Sequence, residues 1–180
     1  MRAPNSRNFV VGRTHIGEAV FAARRFKRGD LLMEFKGQRV HRSKVPQYHA
    51  GENDRYVQIE PNYYLGPSND MDDLINHSCN PNSGLKFTPG KIMLVAIRNI
   101  KLGEEITWDY SSTLLDDSWH MTCECRSKNC RKVIRNFGSL DKSIQRKYLR
   151  LGIVPKYIVD SIENDLGTVY AKEAPQVRYA

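Results

Sequence analysis

Between residues 9 and 41, short apolar runs alternate with glycines and charges. Phe9-Val10-Val11 precedes Gly12, Ala19-Val20-Phe21-Ala22 follows Gly17, and Leu31-Leu32-Met33-Glu34-Phe35 lies between Arg28-Gly29-Asp30 and Gly37. Runs this short, bounded by turn residues, predict strands joined by tight turns. Residues 42–54 are polar, with Pro46 and Gly51, and predict a loop or a brief helix. Tyr56-Val57-Gln58-Ile59, Tyr63-Tyr64-Leu65 and Lys91–Ile97 predict further strands, and Glu105–Tyr110 another. Helical spacing sets in only after residue 138. There Ser139 is placed to cap a segment with Leu140, Ile144, Tyr148 and Leu151 along one face, and Gly152 is a natural stop. Pro155 suits the first turn of a second helix through about Asn164, with Ile158, Val159 and Ile162 on one side. Residues 165–180 are polar and expected to fray. The pattern is that of a mainly β (β+α) domain with a helical C-terminal extension.

Length and composition agree with that picture. A chain of 180 residues, 40% hydrophobic and 27% charged, suits one globular domain with a real core. No apolar run approaches the ~20 residues that cross a bilayer. The polar stretch Met1–Asn8 lacks the apolar segment of a signal peptide. An intracellular protein, in cytoplasm or nucleus, with no membrane partner is expected.

The net charge of +8 is unevenly spread. Residues 1–30 carry seven basic side chains against Glu18 and Asp30, and residues 131–150 carry seven against Asp141. Residues 51–80 reverse the balance, with Glu52, Asp54, Glu60, Asp70, Asp72 and Asp73 against Arg55. Residues 103–120 hold Glu104, Glu105, Asp109, Asp116 and Asp117 with no Lys or Arg. Acidic surfaces attract basic substrates. The basic ends are either a solvated surface or a contact for nucleic acid or another anionic partner.

Three segments carry candidate chemistry. Cys123-Glu124-Cys125 places two thiols close together, and Cys130 returns after a short loop. Three ligands leave one tetrahedral zinc position open, and Cys79 is the remaining cysteine, more than forty residues earlier. Spacing alone also fits a zinc-bound nucleic-acid module. The second segment, Asn76-His77-Ser78-Cys79-Asn80-Pro81-Asn82, follows apolar Leu74-Ile75, and polar groups that dense need hydrogen-bond partners. By itself His77 reads as a structural histidine. In the third, Gly103-Glu104-Glu105-Ile106-Thr107-Trp108-Asp109-Tyr110, a period of two puts Trp108 and Tyr110 on one face.

Together these segments resemble the SET-domain family of protein-lysine methyltransferases with a post-SET zinc cluster. Asn76–Asn82 is similar to the family's NHSCxPN segment, Gly103–Tyr110 to its GEELTYDY segment and Cys123–Cys130 to its CxCx4C cluster. Gly17–Ala22 is similar to its GxGVFA segment, and Lys27–Asp30 to the KKGE turn after it. The resemblance covers roughly residues 9–136, in the family's order. It implies small β-sheets around a knot-like threaded core. The implied boundaries are a SET domain over 1–115, a post-SET zinc segment over 116–136 and a helical extension over 137–180.

The resemblance also implies an enzyme. It would move a methyl group from S-adenosylmethionine to lysines of a basic protein: histone, histone-like or ribosomal. Tyr110 falls at the catalytic tyrosine, Tyr56 at the tyrosine lining the lysine channel, and Trp108 at the aromatic switch position that influences how many methyl groups fit. The cofactor would lie against His15, Ile16, Gly17, Glu18 and Ala19, with Asn76, His77 and Tyr110, and with Val133 or Ile134 over the adenine. One structural zinc would be held by Cys79, Cys123, Cys125 and Cys130. The sequence departs from the family at Ala19, a glycine in relatives, and at Asp73, an arginine in relatives. Residues 1–78 contain no cysteine, so the N-terminal zinc cluster of some relatives is not expected.

Overall fold

The computed structural model describes residues 6–45 and 55–166. Its elements in chain order are β1 (Phe9–Thr14), β2 (Gly17–Ala22), β3 (Leu31–Phe35), β4 (Arg39–His41), β5 (Val57–Glu60), β6 (Tyr63–Leu65) and β7 (Asn76–His77). They continue with β8 (Ser83–Thr88), β9 (Lys91–Ala96), β10 (Thr107–Trp108), β11 (Met121–Thr122), β12 (Val133–Ile134), α1 (Lys142–Leu151) and α2 (Lys156–Leu166). Arg42–Lys44 form one 3-10 turn, while Pro46, Gly51, Glu52, Asp54 and residues 167–180 lie outside the described residues.

The strands form five small sheets: β1-β2, β3-β9-β8, β4-β6-β5, β11-β12 and the parallel pair β10-β7. The apolar runs in the sequence mark β1, β2, β3, β5, β6 and β9. Gly17 turns the first hairpin at a φ of 121°, where a side chain is strained. Residues Ile92–Ala96 are covered on both faces, as their unbroken apolar run requires. Leu94 and Ala96 face the main core with Phe9, Val20, Phe26, Leu85, Ile100 and Ile106. Val95 faces a second core built by Phe137, Leu140, Tyr148, Ile153, Val154 and Ile158. The helical extension is thus the cover for one side of the β3-β9-β8 sheet.

Three expectations change. The strand over Glu105–Tyr110 is broken in two. Glu105 bridges Phe21 of β2, Thr107–Trp108 pair with β7, and Asp109 turns the chain into a 3-10 turn by accepting the Ser111 amide through its carboxylate. Ser139 does not cap α1. It closes the 3-10 turn Phe137–Ser139, and Asp141 stands at the helix N-cap instead. Pro155 precedes α2, and its carbonyl accepts the Ile158 and Val159 amides. Gly152 ends α1 at a φ of 63°, as a C-terminal glycine should.

Candidate active site

The polar segment after Leu74-Ile75 crosses residues 104–110 side by side. Asn76 pairs with Thr107 and His77 with Trp108, in parallel register. Asn82, 1% exposed, satisfies its amide completely on this neighbour. Its Nδ2 donates to the Glu105 carbonyl (2.7 Å) and to Glu104 Oε1 (3.1 Å), and its Oδ1 accepts the Thr107 amide (3.0 Å). Ser83 donates its hydroxyl to the Thr107 carbonyl. Asn76 donates to the Glu18 carbonyl (3.1 Å) and to Glu105 Oε1 (3.0 Å), drawing β2 to the crossing. The dense polar run is therefore a set of paired groups, and it stands where a knot-like core is expected.

Asp109 is the electrostatic centre. It is 1% exposed, and its carboxylate receives both Arg131 nitrogens (2.7 and 2.8 Å), the Tyr148 hydroxyl (2.9 Å) and the Ser111 amide (3.1 Å). A buried carboxylate needs such a set of donors. Burial pushes the Tyr148 phenol above its ordinary range, and the adjacent Asp109 charge adds to the shift. Burial also lowers His77 to about 4, so its imidazole is neutral near pH 7. His77 Nδ1 accepts the Tyr110 amide (3.2 Å), which leaves the proton on Nε2, facing Cys79 Sγ at 3.3 Å.

A cleft, partly open to solvent, lies beside this crossing. Phe35, Tyr56, Tyr64, Trp108, Tyr110 and Trp119 supply aromatic walls, and Asp72 and Asp73 are also on its lining. Trp108 and Tyr110 share a face, with ring centroids 4.9 Å apart. The Tyr110 hydroxyl donates to the Ile75 carbonyl (3.0 Å). Asp73 takes over a structural task. Its carboxylate accepts the Ser68 and Asn69 amides and lies 4.0 Å from Arg55. Burial raises Asp72, which accepts the Lys36 amide and the Ser68 hydroxyl.

The four cysteines carry free thiols and gather behind Tyr110. Cys79 and Cys123 sulfurs are 3.7 Å apart. Two thiolates on one tetrahedral zinc, each at ~2.3 Å, would stand about 3.8 Å apart. Sulfurs of Cys79, Cys123 and Cys125 and the His77 ring lie within 4.8 Å of one another. Cys130 is not in that tight group; its Sγ lies 3.6 Å from the Cys123 carbonyl. The Cys79 amide and the Ser127 hydroxyl bring Cys125 down to about 6 against the opposing effect of burial. Burial instead raises Cys79 to about 11. The donor set fits a zinc ion. His77 is a poor fourth ligand, because its Nε2 carries the proton that faces sulfur.

The expected cofactor residues fall along one edge. His15, Ile16, Gly17 and Glu18 are exposed, whereas Ala19 is fully buried. A hydrogen bond of 2.8 Å between His15 Nε2 and the Glu124 carbonyl brings the β1-β2 turn to the cysteine segment. Ile134 is covered beside Cys79 and Cys123, and Val133 is the exposed member of the pair. Nothing lies within 4 Å of where a Gly17 side chain would start, so this edge is open. The sequence reading missed Asn82, Arg131, Trp119, Tyr148 and Tyr157 as members of the site. Asn82, inside the polar Asn76–Asn82 segment, and Arg131, adjoining Cys130, are the two that carry a local signal.

Small sheets, a parallel crossing, an aromatic cleft and a cysteine cluster define the class. The SET domain family matches residues 17–111, and the chain belongs to that family. It is 34% identical over 130 residues to the Variant-silencing SET domain-containing protein of Plasmodium falciparum (isolate 3D7), covering 63% of this chain and 5% of that one. It is 28% identical over 137 residues to Histone-lysine N-methyltransferase trr of Drosophila melanogaster, covering 69% of this chain and 6% of that one. The chain thus spans about a twentieth of the length of these relatives.

Among solved structures, it superposes on KRYPTONITE in complex with mCHH DNA, H3(1-15) peptide and SAH with a TM-score of 0.57 at 24% identity. That match covers 74% of this chain and 30% of the other. The methyltransferase domain of human SETMAR gives a TM-score of 0.59 at 19% identity, covering 71% and 58%. These likenesses show the fold.

Proposed function

We propose that this chain is a protein-lysine N-methyltransferase using S-adenosylmethionine. The observation that carries the reading is the aromatic cleft ending at Tyr110, set against the crossing that holds Asn76 and His77. The open edge formed by His15–Glu18, Asn76 and Val133, beside the covered Ile134, fits the cofactor, which supplies an electrophilic methyl group when bound. Tyr56 and Trp108 line the channel for the substrate lysine, and Trp108 limits the number of methyl groups. Attack on a sulfonium methyl is an in-line displacement, so alignment supplies much of the rate. The attacking amine must be neutral, while a free lysine titrates near ~10.4. Desolvation between aromatic walls lowers that value. The Tyr110 hydroxyl orients the amine.

The substrate in this reading is a lysine-bearing basic protein, of histone or ribosomal type, met by Asp72 and Asp73 at the cleft. Cys130 completes the zinc site with Cys79, Cys123 and Cys125. Boundaries near 115 and 136 separate the SET domain, the zinc segment and the helical extension. The exposed Lys142, Arg146, Lys147 and Arg150 on α1 support contact with nucleic acid or chromatin, and an intracellular site of action. No helix among the described residues is long and apolar enough to cross a membrane.

The test is mass spectrometry of candidate basic proteins incubated with S-adenosylmethionine and the full chain. Methylated lysine is expected, and Tyr110→Phe should lower the rate roughly a hundredfold, the scale seen when one transition-state donor is removed. Saturable cofactor binding without transfer would instead make the chain a catalytically silent module.

A further inference from the structure

The segment from Asp109 to Asp117 carries Tyr110 and leads into the cysteine cluster. Apart from one 3-10 turn it has no regular structure of its own to fix it. The helical extension grips it along its length. From α1, the Tyr148 hydroxyl donates to Asp109 Oδ2 at 2.9 Å. From α2, the Tyr157 hydroxyl reaches the Thr113 carbonyl and, at 3.0 Å, the Gln58 carbonyl. Between them, the Phe137 amide donates to the Leu114 carbonyl at 2.9 Å, and Asn136 bonds Asp117.

Two of these grips are phenol hydroxyls on side chains otherwise used for apolar packing. A hydroxyl has one proton to give. Tyr157 therefore shares that proton between two carbonyls, both belonging to buried residues on the cleft lining. Tyr148 is 2% exposed and adds a third kind of donor to an Asp109 already paired with Arg131. Packing alone needs only a phenylalanine ring at either place. The hydroxyls are aimed at the segment that carries Tyr110 and the cleft wall.

We infer that Tyr148 and Tyr157 are positioning residues, through which the C-terminal helices set the geometry of the Tyr110 segment and of the substrate cleft. The kinetic part of this inference rests on the methyl-transfer reading; the structural part does not.

The experiment uses Tyr148→Phe and Tyr157→Phe in the full chain, with two readouts. The first is amide hydrogen exchange followed by mass spectrometry. Exchange is expected to quicken in peptides covering 109–117 for both variants, and also in 55–60 for Tyr157→Phe. The β8-β9 hairpin should keep the wild-type rate. The second is methyl transfer to a lysine peptide. Tyr157→Phe should raise KM about three- to tenfold with kcat within about twofold, the loss expected when one net hydrogen bond is removed. Tyr148→Phe should lower kcat by a similar factor with KM held, because Asp109 adjoins Tyr110. Exchange that is unchanged, or raised evenly over the whole chain with a lower Tm, would overturn the inference and leave the tyrosines as packing residues. A wild-type chain that transfers no methyl group would sink the enzymatic reading, while the exchange result still decides this one.

Discussion

Asp109 shows what burial does to a single side chain. In the sequence it is one acid among five in residues 103–120. In the structure it is enclosed, and four hydrogen bonds from three residues converge on it. Glu60 is an acid of the same charge, paired with Arg39 at 2.8 Å, but that pair is half exposed. The two should respond very differently to loss of charge. Asp109→Asn leaves the partly buried Arg131 guanidinium without its counter-charge and should cost about 3 kcal/mol in urea unfolding. Glu60→Gln should change the same measurement by less than about 1 kcal/mol. Nothing in the spacing of residues distinguishes these two carboxylates, because burial is set by what packs over them.

At the scale of elements, legibility follows length and apolar content. The runs that form β1, β2, β3, β5, β6 and β9 are readable because each is a short stretch rich in apolar side chains bounded by turn residues. The pair β7-β10 has two residues a side, too short for any period to show. Strand β8 was missed for another reason: it opens on Ser83-Gly84, which reads as a turn. The structure explains the glycine. A Cβ on Gly84 would stand 2.7 Å from Cδ1 and 2.8 Å from Cγ2 of Ile153, which is 1% exposed. The extension docks on the sheet through that contact. Gly84→Ala should therefore destabilise the fold by about 1–3 kcal/mol through overpacking, measured as a lower denaturant midpoint. The error at Ser139 has a similar origin. Its amide and hydroxyl are occupied within the turn by Asn136, and it has no role left at the helix start.

At the scale of the molecule, four carboxylates of the acidic segments are each paired with an arginine among the described residues. Glu60 meets Arg39, Glu104 meets Arg98, Asp109 meets Arg131 and Asp116 meets Arg42. Asp72 and Asp73 line the cleft together with Lys36 and Arg55, and Asp73 lies 4.0 Å from Arg55. The cysteine cluster has equally wide reach. Cys79 lies two residues from His77, and Tyr110, Trp119 and Ile134 pack around the sulfurs. Metal analysis should find one zinc per chain. Its removal by a chelator should weaken S-adenosylmethionine binding and abolish methyl transfer, while far-ultraviolet circular dichroism of the main sheets persists. Metal-free protein with full cofactor affinity would contradict this coupling.

The sequence by itself determined the β-rich class, the strands with apolar runs, the two helices and the motifs of the family. These are local properties, set by periodicity, turn chemistry and ligand spacing. Only the tertiary structure decided that Asp109 is buried, that His77 is neutral with its proton toward sulfur, and that Trp119 joins the cleft. It also decided that Tyr148 and Tyr157 reach the Tyr110 segment, across 39 and 44 residues of chain. Partners that far apart leave no periodic trace, because their meeting depends on how the sheets and the C-terminal helices pack around one core.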